Sequence, residues 1–183
     1  MTALLSITHK TGNLNLQTNT PVTSLTAAQE PGSWTATTSR GSITTPKVIL
    51  ATNGYTSAVL PEYAGKIVPC KGICCHIIPS PASTHTPLTF TYGLRLPRGS
   101  FDYLIPRPDG SIIVGGARSH FYSFRDSWYN NADDSNLILP AAECFNNYMQ
   151  THFHGWEESG AKVEEIWSGV MGYTSDGMPH IGE

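Results

Sequence analysis

Apolar and polar positions alternate along much of this chain, and the places where alternation fails are as informative as the places where it holds. In "NLNLQTNTPVTSLTA" the apolar positions are Leu14 and Leu16, then Val22 and Leu25, with Pro21 between them. This predicts a strand with a kink or bulge at the proline. "SWTATTS", "GSITTPKV" and "KVILAT" follow, and Ser39-Arg40-Gly41 supplies a turn. Short runs divided by such turn residues predict an antiparallel ribbon. The last run breaks the alternation, because Val48, Ile49, Leu50 and Ala51 are consecutive. Unbroken apolarity predicts a strand buried on both faces, as in a parallel sheet covered by helices.

Beyond Pro61 the pattern is β-rich: "GKIVPCKGICCHIIP", "TPLTFTYGLRLP" and "FDYLIPRPDGSIIVGGAR". Pro108-Asp109-Gly110 separates two apolar runs and predicts a hairpin, so this region reads as a second, antiparallel sheet. One helix follows. Asp133, Asp134 and Ser135 are candidate caps, and Pro140 suits the first turn. Ala141, Phe145, Tyr148 and His152 recur at helical spacing, and Gly155 lies just past the end. The final segment, "AKVEEIWSGVMGYTSDGMPHIGE", begins as a strand and passes into a loop rich in Gly, Ser and Asp. The expected fold class is therefore mixed α/β, with an antiparallel sheet beside part of a layered, Rossmann-like core.

Composition narrows the functional classes. A formal charge of −3 over 183 residues, without a basic stripe, argues against a nucleic-acid footprint. No apolar run approaches the roughly 20 residues of a membrane helix, and "MTALLSITHK" is too short in its apolar core for a signal peptide. An intracellular protein is expected, cytoplasmic with a peroxisomal address left open. Cys70, Cys74 and Cys75 fall on one predicted strand and Cys144 on the helix, so buried reduced thiols are expected rather than a zinc site. His152 and His154 form an H-x-H pair with nothing nearby to complete a metal shell, and no metal is assigned. G-x-G-x-x-G, the phosphate-binding G-x-x-x-x-G-K-[ST] and the nucleophile elbow G-x-S-x-G are all absent.

Two constellations remain. Ala51-Thr52-Asn53-Gly54 follows the predicted buried strand, and ligands of open α/β sheets lie beyond the carboxyl ends of the strands. Gly54 lacks the Cβ that would hold a ligand away, although a plain tight turn uses the same residues. "GVMGYTSDGMPHIG" carries Gly169, Gly172, Gly177 and Gly182 in one stretch. Such a loop presents several backbone N–H groups to a polar ring system, or serves as a structural loop.

Four motifs occur in order: Val48 to Gly54, Pro69 to Gly72, Tyr103 to Gly110, and Trp167 to Gly182. In this the chain resembles the FAD-dependent oxidoreductases of the D-amino-acid-oxidase, glycine-oxidase and sarcosine-oxidase superfamily, in its fungal branch. The resemblance covers nearly the whole chain. It implies an FAD-binding domain in residues 1–66, a substrate domain in 67–160, and a return to the FAD domain in 161–183. It implies oxidation of a C–N bond in a small-molecule amine or amino acid, with oxygen as acceptor. The implied FAD contacts are Val22, Ala51, Thr52, Asn53 and Gly54, with Asp176, Gly177 and Met178 on the flavin side. Met171 stands at the implied substrate-side position; Tyr92 and Tyr103, on predicted sheet positions, either line the substrate cavity or pack in the core, and no residue is singled out as a general base.

The chain departs from that family's pattern in two ways. The family's opening strand, G-x-G-x-x-G turn and helix, which hold the FAD pyrophosphate, are absent. So is the glycine-rich loop that follows P-x-I-G. The expectation is an internal fragment that begins in the tail of a helix, binds FAD weakly and is poorly soluble alone. The alternative is a truncated, non-catalytic product. The second departure is at Met171, where better-known members carry an Arg that clamps the substrate carboxylate. Arg95, Arg98 and Arg107 are candidates to supply the missing cation.

Overall fold

The structure is a computed structural model that describes residues 2–182, with the side chains of Thr2 and Arg98 outside the description. The chain forms two units, Met1–Ala51 with Thr56–Glu62, and Thr52–Tyr55 with Tyr63–Glu183.

The first unit starts with helix α1, Thr2–Lys10, as expected for a chain beginning in a helix. Gly12 follows it at φ +74°, the left-handed backbone that a glycine takes without a Cβ penalty at a helix end. Strands β1 (Val22–Ala27), β2 (Trp34–Thr38) and β3 (Gly41–Thr45) form an antiparallel ribbon in that order. The register of β1 on β2 slips between Val22 and Ser24, which is the bulge anticipated beside Pro21. The strand does not reach back to Leu14 and Leu16, contrary to the pattern. Asn19 turns the chain at φ 52°, and Pro21 has no N–H to extend the ladder. Helix α2, Thr56–Val59, completes the unit.

The expected buried strand at Val48–Ala51 is not formed. Residues 47–52 have no regular structure, and Ile49 is 85% exposed. Backbone N–H and C=O groups become a strand only beside a partner ladder. Among the described residues none pairs with this run, so apolarity alone leaves it irregular.

The second unit is built on a five-stranded sheet of β4 (Val68–Ile78), β5 (Tyr92–Arg95), β6 (Phe101–Pro106), β7 (Ile112–Gly115) and β8 (Lys162–Tyr173), in the order β5-β6-β7-β4-β8. Every pairing is antiparallel. The β6–β7 hairpin turns at Pro108-Asp109-Gly110 as predicted. Gly110 stands at φ +83° and donates its N–H to Arg107, while Asp109 accepts from the Ser111 N–H and hydroxyl. β8 is bonded to β4 along its length, from Val68↔Tyr173 to Ile78↔Lys162.

Period-two alternation gives this sheet two faces. One carries Ile73, Cys75, Ile77, Leu104, Ile112 and Val114 into the core. Phe121, Ile138, Ala141, Phe145, Tyr148, Met149 and Trp156 cover them. Those residues sit on short helices α3 (Arg118–Phe121), α4 (Leu139–Ala142) and α5 (Tyr148–His152) and the loops between them. The single helix read from spacing is thus interrupted. Asn146 is extended at ψ 128° and Asn147 is left-handed at φ 54°, yet Ala141, Phe145 and Tyr148 still point inward. Asp133 caps no helix, because its carboxylate accepts from Ser135 and Asn136 in a loop. Those bonds hold its carboxyl below the usual range, the Ser135 side-chain bond contributing most. The same loop is pinned from beneath by the buried Lys71, whose ammonium donates to the Asp133 and Asn136 carbonyls at 2.9 and 3.0 Å.

One buried carboxylate organises the end of β7. Asp102, 1% exposed, accepts from the Ala117 N–H at 2.7 Å and from the Tyr148 hydroxyl at 2.9 Å. Its charge is compensated by two donors rather than by a cation. Gly116 (φ +128°) and Ala117 (φ 55°) make the sharp turn into α3 against it. A Cβ at Gly116 would collide with the Asp102 carboxylate and backbone.

Candidate functional site: the open face of the sheet

The second face of the five-stranded sheet lacks the helical cover of the first. Residues directly opposite on neighbouring strands share a face, so the register assigns it. Cys70 pairs with Met171, Gly72 with Gly169, Cys74 with Trp167, and Tyr103 with Gly115. Phe101, Tyr103, Ile105, Trp167, Met171 and Tyr173 are all exposed large apolar or aromatic side chains. Contiguous exposure of this kind marks a binding surface rather than scattered surface hydrophobics.

Glycines set the level of this surface. The Tyr103 ring end lies over Gly115, where a Cβ would collide with it. The Met171 methyl approaches Gly72 to within 3.1 Å of where a Cβ would stand. The Tyr103 hydroxyl and the Cys74 thiol are 3.0 Å apart, and either can donate. Burial first, and the Cys74 contact second, push the Tyr103 phenol above its ordinary value. Burial likewise raises the Cys74 thiol, with the Tyr103 bond opposing. Both groups are therefore neutral donors and acceptors near pH 7, not anions. The hydroxyl of Tyr173 also reaches the Met171 sulfur, at 3.9 Å.

The tip at Thr52-Asn53-Gly54 serves this sheet. A 3-10 turn, Asn53–Tyr55, lies against β8. Asn53, at φ 47°, accepts the Gly172 N–H through its side-chain oxygen at 2.9 Å. A Cβ on Gly54 would stand 2.9 Å from Val170 Cγ1 and 3.2 Å from the Met171 carbonyl oxygen. Gly172 is equally confined, by Asn53 Oδ1 at 2.6 Å and Gly54 N at 2.9 Å. The close approach that Gly54 permits is thus to a neighbouring strand. The Asp176 loop is also internally bonded. Thr174 Oγ1 lies 2.7 Å from Asp176 Oδ1, and Met178 donates its N–H to the same carboxylate at 3.1 Å. The Gly177 N–H closes a turn onto Thr174, at φ +69°. These bonds, the Thr174 hydroxyl first, hold the exposed Asp176 carboxyl below its usual range. Met178 stands out in solvent.

The sequence-predicted residues distribute as follows. Tyr103 and Met171 share the open face, whereas Tyr92 pairs with Leu104 and turns to the core, edge-on to Phe153 at 5.7 Å. Thr52, Asn53, Gly54, Asp176, Gly177 and Met178 belong to the second unit. Val22 and Ala51 belong to the first. Of the candidate cations, Arg95 pairs with Phe101 and so lies on the open face at its outer edge. Arg107 is engaged in the hairpin turn, 3.8 Å from Asp109. Arg98 lies outside the described side chains. His152 stacks on Tyr148 at 4.3 Å, and His154 faces solvent beside Glu157. Sequence reasoning missed Trp167 and Tyr173, which alternate with Gly169 and Met171 on β8. It also missed a doubled R-x-x-x-Y, Arg118/Tyr122 and Arg125/Tyr129, that the sequence spells at seven-residue spacing.

The family described as DAO, FAD dependent oxidoreductase, matches residues 3–183, and the chain belongs to that family. Glycine oxidase from Geobacillus kaustophilus is similar in structure, with a TM-score of 0.65 and 17% identity over 99% of this chain and 44% of that one. NikD, an unusual amino acid oxidase essential for nikkomycin biosynthesis, in its open form, matches with a TM-score of 0.57 and 16% identity, over 95% of this chain and 44% of its own. At such identities the likeness is one of fold, and the chain spans less than half the length of these structures. No curated protein sequence matches the chain. Among the described residues no helix is long and apolar enough to cross a membrane.

The residues present fit one half of FAD. The exposed rings of Tyr103, Trp167 and Tyr173 beside Gly72, Gly115 and Gly169 suit a flat aromatic system. The sequence contains no G-x-G-x-x-G turn for the pyrophosphate.

Proposed function

We propose that this chain is part of an FAD-dependent oxidoreductase, of the family's fungal branch, that oxidises the C–N bond of a small amine or amino acid with oxygen as acceptor. The observation that carries the reading is the coincidence of a family match over residues 3–183 with a broad apolar face that lacks helical cover. When bound, FAD supplies the two-electron acceptor. The chain's own contribution is to orient and desolvate. Tyr103, Trp167 and Met171 exclude water from the reacting carbon, and the neutral Tyr103 and Cys74 pair offers a hydrogen bond without adding charge. Thr52, Asn53, Gly54, Asp176, Gly177 and Met178, all of the second unit, are the proposed cofactor contacts. Residues 1–66 and 161–183 are assigned to the cofactor domain and 67–160 to the substrate domain. The chain spans 44% of the length of its structural relatives, so the activity proposed is that of the whole protein.

The reading is tested by reconstituting the whole protein with FAD and measuring flavin absorbance and peroxide release with a panel of amines and amino acids. Colour and turnover support the oxidase; a colourless protein refutes it.

A further inference from the structure

The turn that carries the tip is tied to a distant loop of the same unit. Tyr55 closes the 3-10 turn by donating its N–H to the Thr52 carbonyl at 2.9 Å. Its hydroxyl donates to the Asp134 carboxylate at 3.0 Å, across 79 residues of sequence. Burial first, and the Asp134 bond second, push the Tyr55 phenol above its ordinary value, so it stays a donor near pH 7. A hydrogen bond to a carboxylate is stronger than one between neutral groups.

The segment 128–136, which carries Asp134, is fastened to β4. The Lys71 N–H donates to the Trp128 carbonyl at 2.7 Å, and the Asn131 N–H donates to the Pro69 carbonyl at 3.1 Å. The buried Lys71 ammonium reaches the Asp133 and Asn136 carbonyls, which lie on either side of Asp134 in the chain. Among the described residues no carboxylate pairs with this lysine. A buried ammonium needs its donors satisfied, so it holds the loop in the conformation that aims both carbonyls at it.

These contacts close into a ring. Lys71 stands opposite Val170 in the β4–β8 register. Val170 is the side chain against which Gly54 rests, 2.9 Å from where a Cβ would stand. Gly54 leads to Tyr55, Tyr55 to Asp134, and Asp134 to the loop that Lys71 holds. Asn53 sits within the ring at φ 47°, a backbone that a non-glycine residue keeps where several contacts over-determine it.

We infer that Lys71, Asp134 and Tyr55 are positioning residues that fix the Thr52–Gly54 tip for the cofactor. This rests on the cofactor reading above. The loop at 133–136 falls in the part assigned to the substrate domain and the tip in the part assigned to the cofactor domain. A change in that loop is therefore felt at the cofactor contact.

The test uses the whole protein and separates the brace from its purpose. Hydrogen exchange of the peptide spanning 52–55 is measured without FAD, and FAD affinity is then read by flavin fluorescence quenching. Tyr55→Phe, Asp134→Ala, their combination, Asp134→Asn, Lys71→Met and the control His154→Gln are compared, with urea midpoints to register global stability. Tyr55→Phe and Asp134→Ala are each expected to speed exchange over 52–55 and to weaken FAD about three- to tenfold, the loss of one hydrogen bond. Their combination does no more than either alone, because both remove the same bond. Urea midpoints stay near the parent's, which a merely structural role would not allow. Asp134→Asn keeps an acceptor and retains part of the effect. Lys71→Met speeds exchange over both 133–136 and 52–55, and His154→Gln changes neither.

Unchanged exchange over 52–55 in folded Tyr55→Phe and Asp134→Ala overturns the inference, and so do effects that simply add. Faster exchange with FAD affinity equal to the parent's overturns the cofactor role. Folded Lys71→Met with a parent-like tip removes Lys71 from the assignment; if that variant does not fold, the Tyr55–Asp134 cycle decides. A parent that takes up no FAD, with the exchange pattern intact, would remove the oxidase reading and leave the brace standing.

Discussion

Removing the Asp102 carboxylate should loosen the second unit more than any exposed substitution. The group is 1% exposed and satisfies two buried donors, the Ala117 N–H at 2.7 Å and the Tyr148 hydroxyl at 2.9 Å. Asp102→Ala strands both donors, and each unpaired donor costs about 1–3 kcal/mol. Relief of the desolvated charge offsets part of this, so the expected net loss is about 2–4 kcal/mol. Asp102→Asn keeps an acceptor for Ala117 and loses the one for Tyr148, for about 1–3 kcal/mol. Tyr148→Phe in the Asp102→Asn background should then cost less than the sum of the two single changes, because the stranded hydroxyl is gone. Urea unfolding reads this through Trp128, Trp156 and Trp167 in a Trp34→Phe background, which silences the first unit. Asp102→Ala and Asp102→Asn midpoints indistinguishable from the parent would refute the reasoning. So would strict additivity with Tyr148→Phe.

Other expectations follow from the same geometry. Gly172→Ala drives a methyl to within 2.6 Å of Asn53 Oδ1 and 2.9 Å of Gly54 N, and should cost about 2–4 kcal/mol in urea unfolding; Asn53→Ala, which removes the clamp and puts an alanine in left-handed backbone at φ 47°, should cost about 2–3 kcal/mol. Cys75 is fully buried and its thiol is pushed up to about 12 from 9, chiefly by that burial. Because the folded value is the raised one, the stability it contributes is complete below pH 9 and is lost as pH rises toward 12. By pH 10 the loss is about 1.4 kcal/mol, and Cys75→Ala should flatten the decline between pH 9 and 10 while lowering stability at every pH. Trp167→Ala should weaken FAD uptake by the reconstituted protein about three- to tenfold, as read by flavin fluorescence quenching. Unchanged uptake would mean that Trp167 does not meet the ring.

Much of the second unit was legible in the sequence because its signals are local. The "PRPDG" turn, the run of "VPCKGICCHII" and the inward spacing of Ala141, Phe145 and Tyr148 each depend on a few neighbouring residues. Two long-range features misled. "KVILA" has the composition of a buried strand, but a strand exists only where a second backbone supplies the ladder, and Ile49 stands in solvent. Tyr92 and Tyr103 look equivalent on paper. Pairing with Leu104 in one case and Gly115 in the other turns them to opposite faces of one sheet. The doubled R-x-x-x-Y was in plain view, yet i,i+4 spacing alone does not say that each arginine lies over its tyrosine ring.

The sequence by itself determined the family and the β-rich character of the middle of the chain. Motif order and period-two alternation survive without knowledge of distant contacts. Only the tertiary structure decided what the glycine-rich tip at Asn53-Gly54 is for and which face of the sheet stays open. Those outcomes depend on strand register and on residues as far apart as Asn53 and Gly172, where a single N–H to a side-chain oxygen settles the geometry. A one-residue shift in pairing would reverse every face, and no local pattern encodes that choice.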